Sequence, residues 1–294
     1  MLAPAKPELM RTIVLVRHGE TVGNSSIRYF GRTDLELSEL GRAQMRAARR
    51  RLRNHFGAVR FAPVIASPLR RAMEGATIIA GPDGSIVEIE EFVEVDFGRF
   101  EGLTAEEIAA RYPAEFERWN RNRLDPAFSY PGGESRGDFI DRVERGIQRM
   151  LSMIGETSHP QSASHKQPTL RPQPVSCPQP ATNAADAPPN AGDPQPTAID
   201  APPDAANAQS TAIDALLTSA HGAQPSVGEV ALMVAHRGVI RIVCNRLAGA
   251  EPKIDLGSIQ ILERDSSVGA LRASTVGAWR VAAIDIVEHL SGVE

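Results

Sequence analysis

Two short apolar runs limit what this chain can fold into. Thr12–Val16 (T-I-V-L-V) and Val230–Ala235 (V-A-L-M-V-A) carry no polar residue after Thr12. Unbroken runs of this kind read as strands buried on both faces, and such strands belong to parallel sheets covered by helices. Each run stops in the same chemistry, Arg17-His18-Gly19 in one case and His236-Arg237-Gly238 in the other. In open α/β sheets the carboxyl ends of the strands are where ligands bind. Arginine offers a planar fork of donors suited to phosphate oxygens, and histidine can attack or carry a proton near neutral pH. Gly19 lets the backbone turn sharply or approach a ligand closely.

Strands and helices alternate along the rest of the chain. Thr21 to Thr33 is a polar loop in which Asn24 and Arg32 are candidate ligand-facing side chains. Ser38 is expected to cap a helix with Leu40, Ala43, Ala47 and Leu52 toward the core. The arginines Arg49 to Arg51 and Arg53 read as its solvated face, since no aromatics are interleaved as a nucleic-acid patch would need. A second strand, Pro63–Ala66, leads to a helix over Pro68–Ala80 with Ser67 as N-cap and Pro68 at the first position. Arg70 and Arg71 lie in its first turn, against the helix dipole, so one of them is expected to have an anionic partner. A third strand covers Ile86–Ile89. In the acidic stretch after it, Glu94 and Asp96 share one face of an extended segment. Thr104 and Glu107 form a capping box, and Pro113–Arg121 is a further helix with Phe116 and Trp119 in the core. Pro131-Gly132-Gly133-Glu134-Ser135 is a tight loop, and Phe139, Val143, Ile147, Met150 and Leu151 mark a long helix to about Ile154. An apolar helix follows Ala235, and Ser258–Glu263, Ala270–Val276 and Trp279–Ile284 read as strands. The alternation predicts an α/β fold of three layers, α/β/α, with a mostly parallel central sheet.

One segment departs from this pattern. Residues 157–228 contain no aromatic residue and hold 13 of the 22 prolines. P-T-A-I-D-A and S-T-A-I-D-A nearly repeat within it, too few copies for a solenoid. A stretch this polar cannot bury enough surface to offset its ordering entropy, so it is expected to be a disordered insert, with a short helix at Ala212–Ala220 as the one exception. The expected organisation is a loose tail over 1–10, one folded domain from 11–156 and 229–294, and the insert between its halves.

Composition narrows the function. The net charge of −4 gives no global attraction to nucleic acid or to an anionic membrane. No apolar run reaches membrane-spanning length, and the start lacks a signal-peptide core, so a cytoplasmic location is expected. Cys177 and Cys244 suggest neither a disulfide framework nor a metal site. A parallel sheet would bring His18 and His236 to one edge, together with Arg17, either Arg70 or Arg71, and Glu94 on a neighbouring loop. Two histidines, two arginines and a carboxylate suit phosphoryl transfer, in which arginines neutralise phosphate oxygens, an imidazole attacks phosphorus and an acid protonates the leaving oxygen. His18-Gly19-Glu20 also matches half of a zinc deaminase signature, but the C-x-x-C half is absent, and no metal is expected.

The motifs V-R-H-G-E-T with Asn24, G-R-T-D-L-E-L-S-E-L-G, S-P-L-R-R-A, E-V-D-F-G-R-F-E-G, P-G-G-E-S and V-A-H-R-G-V-I-R together resemble the histidine phosphatase superfamily, also called phosphoglycerate mutase-like. The resemblance covers roughly 11–155 and 229–290. It implies that His18 is the phosphorylated nucleophile, that Arg17, Arg71 and His236 surround the phosphoryl group, and that Glu94 is the proton donor. The pattern S-x-x-x-R-A selects Arg71 over Arg70, and Asn24 is implied as a further phosphate contact. Gly23 and Gly75 depart from the family, where many members have Trp and Thr, and the insert is not a usual family feature. The F-E-G and P-G-G-E-S segments resemble the phosphatase branch. The implied activity is hydrolysis of a small phosphorylated metabolite with no cofactor. The alternatives are a cofactor-dependent phosphoglycerate mutase and a non-catalytic adaptor using the Pro-rich insert. The oligomeric state stays open.

Overall fold

The apolar run Thr12–Arg17 forms strand β1, and Val230–Ala235 forms β4. They lie side by side and parallel, with Thr12 opposite Val230 and Arg17 opposite Ala235. The structure, a computed structural model, describes residues 12–82, 84–122, 124–155, 230–264, 279–287 and 290. The expectations for the tail 1–10, the insert 157–228 with its helix at Ala212–Ala220, Cys177, and the strand Ala270–Val276 lie outside the described residues.

The other strands are β2 (Val64–Ala66), β3 (Ile86–Glu88), β5 (Ile259–Arg264) and β6 (Trp279–Ile286). The six-stranded sheet runs β3-β2-β4-β1-β5-β6. The pairs β3–β2, β2–β4 and β4–β1 are parallel, whereas β1–β5 and β5–β6 are antiparallel. The sheet is therefore mixed and mostly parallel, as the alternation predicted.

Alternate residues of the central strands face opposite layers. On one face, Val14 and Val16 of β1 and Leu232 and Val234 of β4 pack with helices α1 (Glu39–Phe56) and α2 (Arg70–Ala80). On the other, Ile13, Leu15 and Met233 pack with α5 (Arg136–Met153) and α6 (Arg237–Ala248). Both strands are buried on both sides, which is why they read as continuous apolar runs. Two shorter helices, α3 (Ala105–Arg111) and α4 (Pro113–Arg121), build a separate aromatic cluster of Phe100, Ile108, Trp119 and Phe128, edged by Tyr29, Phe97 and Tyr130. The predicted capping box at Thr104 and Glu107 is present.

Two local expectations are corrected. Ser38 caps α1 as predicted, its Oγ accepting from Gly41 N at 3.1 Å. Its buried face, however, is Gly41, Met45, Ala47, Ala48, Leu52 and Phe56, and Leu40 is exposed. The helix is turned this way because Gly41 packs directly on the backbone leaving β1, with Ser38 N donating to Glu20 O at 2.9 Å. Helix α2 begins at Arg70, and Ser67 does not cap it. Asp34, from the preceding loop, supplies the acceptor instead, its Oδ1 taking Arg70 N at 2.7 Å. In the arginine run on α1, Arg50 and Arg53 are exposed, and Arg49 donates to Ile78 O at the end of α2 at 3.1 Å.

The contact between α1 and the end of β1 leaves no room for a side chain. A Cβ on Gly41 would stand 2.0 Å from Glu20 O, and one on Gly19 would stand 2.5 Å from Gly41 O. Both obstacles are backbone, so they cannot swing away. Gly41→Ala is expected to lower stability by about 1–3 kcal/mol, the usual cost of overpacking, read as an earlier urea midpoint with unchanged slope.

Candidate active site

The parallel register of β1 and β4 carries both chain directions past the sheet edge at the same level. His18 N donates to Ala235 O at 3.1 Å, which ties the two exits together. The His18 and His236 rings meet edge to face with centroids 5.1 Å apart, and both are almost fully buried.

The bonds of His18 fix its tautomer. Its Nδ1 lies 2.7 Å from Gly19 O. A carbonyl can only accept, so Nδ1 carries the hydrogen and the neutral ring keeps its lone pair on Nε2. Burial, and then the charges of Arg71 and Arg17, hold the His18 pKa well below its ordinary 6.5. Burial likewise lowers His236, with Arg71, His18, Arg17 and Arg142 adding to the effect. His236 Nε2 lies 2.8 Å from Ser67 Oγ.

Two guanidinium groups close around this pair. Arg17 donates through Nη1 to Ile254 O at 3.1 Å. Burial, and then Arg237, lower its pKa to about 10, against the opposing charges of Glu94, Asp255 and Glu20. It remains a cation at neutral pH. Arg71 is fully buried, with Nη1 donating to Thr33 O and Nη2 to Gly31 O, both at 2.7 Å. Burial lowers its pKa too, opposed by Glu94, Asp34 and Glu101. Among the described residues, Arg17 Nε, Arg71 Nε and His236 Nδ1 are buried polar atoms without a hydrogen-bond partner. Buried groups of this kind usually have one. These three belong to side chains that the resemblance placed around a phosphoryl group; Thr21 Oγ1, Arg136 Nε and Trp279 Nε1 are in the same state. The adjacent Arg70 instead pairs with Glu36 on the surface at 2.9 Å, so it is the arginine of the two with an anionic protein partner.

Glu94 reaches the same edge from the segment before α3. Its Oε2 accepts from Gly238 N at 2.9 Å and its Oε1 from Val95 N at 3.0 Å. A Cβ on Gly238 would stand 2.4 Å from Glu94 Oε1, so any side chain there would displace this carboxylate. Asp96 does not join the site: its Oδ1 accepts from Gly98 N at 2.8 Å. Arg32 is exposed, with Nε 4.0 Å from Asp96 Oδ2. Asn24 is exposed at a left-handed φ of 59°, where its backbone shapes the turn, and its side chain makes none of the hydrogen bonds described here. Glu20 Oε1 accepts from Thr21 N, Ser25 Oγ and Ser26 N, so the acid of the H-x-E pair faces its own loop. Among the described residues no group of three or more His, Cys, Asp or Glu could hold a metal ion, and no helix is long and apolar enough to cross a membrane.

The supporting residues were less visible in the sequence. Ser67 looked like a helix cap and instead faces His236. Arg142 forms a two-bond pair with Glu134, at 2.9 and 2.8 Å, and its Nη1 donates to Glu91 O and Val93 O at 2.9 and 2.8 Å. It thereby holds the backbone that presents Glu94. Its position between Phe139 and Val143, near the buried face of α5, was the available signal, because a charge there needs acceptors.

The chain is similar to proteins already known. Residues 13–159 match the histidine phosphatase superfamily (branch 1). The chain is 39% identical over 140 residues to a bifunctional protein of Mycobacterium tuberculosis, covering 47% of this chain and 37% of that protein. It is 32% identical over 143 residues to phosphoserine phosphatase 1 of Hydrogenobacter thermophilus, covering 48% of this chain and 64% of the relative. The chain thus spans less than two thirds of both these relatives. It is also 35% identical over 164 residues to 2,3-bisphosphoglycerate-dependent phosphoglycerate mutase 2 of Gloeobacter violaceus, covering 50% of this chain and 72% of the relative. Among solved structures, the α-ribazole phosphatase of Shigella flexneri shares the fold with a TM-score of 0.55, at 18% identity over 94% of this chain and 100% of the other.

The depressed pKa values link folding to pH. Unfolded histidines take up protons near their reference pKa of ~6.5, while folded His18 and His236 do so only at lower pH. Their effect on stability is therefore neutral above that pH, and stability is lost as pH falls below it. The melting temperature is expected to drop between about pH 6.5 and 5, and His236→Asn should flatten that drop.

Proposed function

We propose, from the premise that this chain belongs to the histidine phosphatase superfamily, that it hydrolyses phosphomonoesters of small metabolites through a phosphohistidine intermediate. The observation that carries this reading is the state of His18. It is a buried, neutral imidazole, pinned through Nδ1 to Gly19 O, with the lone pair left on Nε2 and the charges of Arg71 and Arg17 acting on the ring.

The chemistry follows from that placement. His18 Nε2 attacks phosphorus as the P–O ester bond breaks, and Arg17, Arg71 and His236 bind the phosphoryl oxygens as charge moves onto them. Glu94 gives its proton to the leaving oxygen. In the second half Glu94 takes a proton from water, which attacks phosphorus, breaks the N–P bond and restores neutral His18. Asn24 stands as a further phosphate contact through its position in the motif. Arg142 and Glu134 keep Glu94 in place, and Ser67 orients His236. The likeness to phosphoserine phosphatase 1 supports hydrolysis.

The likeness to the Gloeobacter mutase favours a second reading, transfer of the phosphoryl group to an acid substrate. The two are separated by incubating the protein with 3-phosphoglycerate, with and without bisphosphoglycerate. Release of inorganic phosphate marks the hydrolase, and formation of the 2-phospho isomer marks the mutase.

His18→Ala is expected to abolish turnover of p-nitrophenyl phosphate, and labelled substrate should leave an acid-labile, alkali-stable phosphoryl group on the native protein alone. Equal labelling of the variant would refute His18 as the nucleophile. Glu94→Gln should slow hydrolysis of an alkyl phosphate about tenfold or more beyond any effect on p-nitrophenyl phosphate, because an alkoxide needs the proton and a nitrophenolate barely does. Equal losses on both esters would remove Glu94 as the acid.

A further inference from the structure

The carboxylate of Glu101 sits in the F-E-G segment, and its charge acts on Arg71. Its bonds run to the loop of residues 31–33 and to Phe97. Oε1 accepts from Gly31 N at 3.0 Å, Arg32 N at 3.1 Å and Phe97 N at 3.1 Å. Oε2 accepts from Gly31 N at 3.0 Å, Thr33 N at 3.3 Å and Thr33 Oγ1 at 2.5 Å. Both oxygens are thus committed to the loop of residues 31–33, and a carboxylate offers only about four lone-pair sites in all. The opposite side of that loop faces Arg71. The carbonyls of Gly31 and Thr33, whose N–H groups bind Glu101, are the acceptors of the two Arg71 Nη groups. The peptide units between them leave little freedom. A Cβ on Gly31 would stand 1.8 Å from Val95 O, so the loop is also pressed against the segment carrying Glu94.

The geometry points to Glu101 as a positioning residue for phosphate binding, which holds loop 31–33 so that its carbonyls aim the Arg71 guanidinium. This rests on the reading that Arg71 binds the phosphoryl group. The carboxylate organises four backbone N–H groups and one hydroxyl, and the organised loop leaves its carbonyls turned toward Arg71. Its negative charge also helps to keep Arg71 protonated despite burial. A guanidinium that is fully buried needs all of its orientation from such acceptors, since water cannot supply it.

The test is a double-mutant cycle on inorganic phosphate binding, measured by calorimetry, with kcat/KM on p-nitrophenyl phosphate as the parallel readout. Glu101→Gln keeps one acceptor oxygen and puts an amide where the other met N–H donors. It should weaken phosphate binding and raise KM about tenfold, with a smaller change in kcat. In an Arg71→Ala background the same substitution should change either readout less than about twofold, because the group it acts through is gone. Thr33→Val, which removes only the hydroxyl bond, should give a fraction of the Glu101→Gln effect and keeps the test open if the latter variant folds poorly. Thr104→Ala, which removes the α3 cap, serves as the control for lost stability and should leave phosphate affinity unchanged. Equal losses from Glu101→Gln with and without Arg71, or unchanged affinity in a folded Glu101→Gln, would overturn the inference. Failure of the native protein to bind phosphate or turn over the ester would instead overturn the phosphatase reading.

Discussion

The pairing of β1 with β4 is the constraint on which the rest depends. Arg17 stands opposite Ala235, so each chain leaves the sheet with its histidine at the same height, and the two rings touch. A shift of one residue in that pairing would turn every side chain of one strand to the other face. The apolar residues on both faces forbid such a slip, since Val14 and Val16 fill one layer while Ile13 and Leu15 fill the other. Packing energy spent on the two cores therefore also fixes the distance between two catalytic candidates far apart in sequence.

Positive charge is concentrated at that edge under conditions that disfavour it. Arg71 is fully buried, Arg17 partly so, and Arg237 adds a third charge whose field lowers the Arg17 pKa. Carbonyl oxygens, and carboxylates set slightly further away, meet this demand only in part. Burial first, and then the same field, keeps both histidines neutral, which costs stability once acid protonates the unfolded chain. Carboxylates do three different jobs within a short stretch: Glu94 faces the start of α6, Glu101 holds the loop behind Arg71, and Glu134 anchors Arg142. A buried pair such as Arg142–Glu134 is weak evidence of net stability, since desolvation offsets its attraction. Its visible consequence is that the Arg142 guanidinium is placed to bind the carbonyls of Glu91 and Val93, just before Glu94.

The sequence made the layered architecture legible because the signals involved are local and repeated. Apolar runs, the Ser38 cap and the Thr104–Glu107 box each reside in a few consecutive residues, and all three are found as expected. Roles decided by contacts across the fold were harder to see. Ser67 preceded a helix-like segment and resembled a cap, yet Asp34 takes that task and Ser67 turns to His236. Leu40 fitted the helical period of α1 and is exposed, because the close contact of Gly41 with Glu20 sets how the helix is rotated.

The sequence by itself determined the kind of sheet, the two strand exits bearing histidine and arginine, and the family to which those motifs belong. These follow from side-chain polarity and period along the chain, which need no knowledge of partners. Tertiary structure alone decided which backbone N–H groups hold the Glu94 carboxylate, which carbonyls enclose Arg71, and which tautomer His18 adopts. Each of those depends on a hydrogen bond between residues brought together by folding, or on a carbonyl that only a particular turn aims at the ring. The identity of an amino acid states what it can donate or accept; the fold determines what it meets.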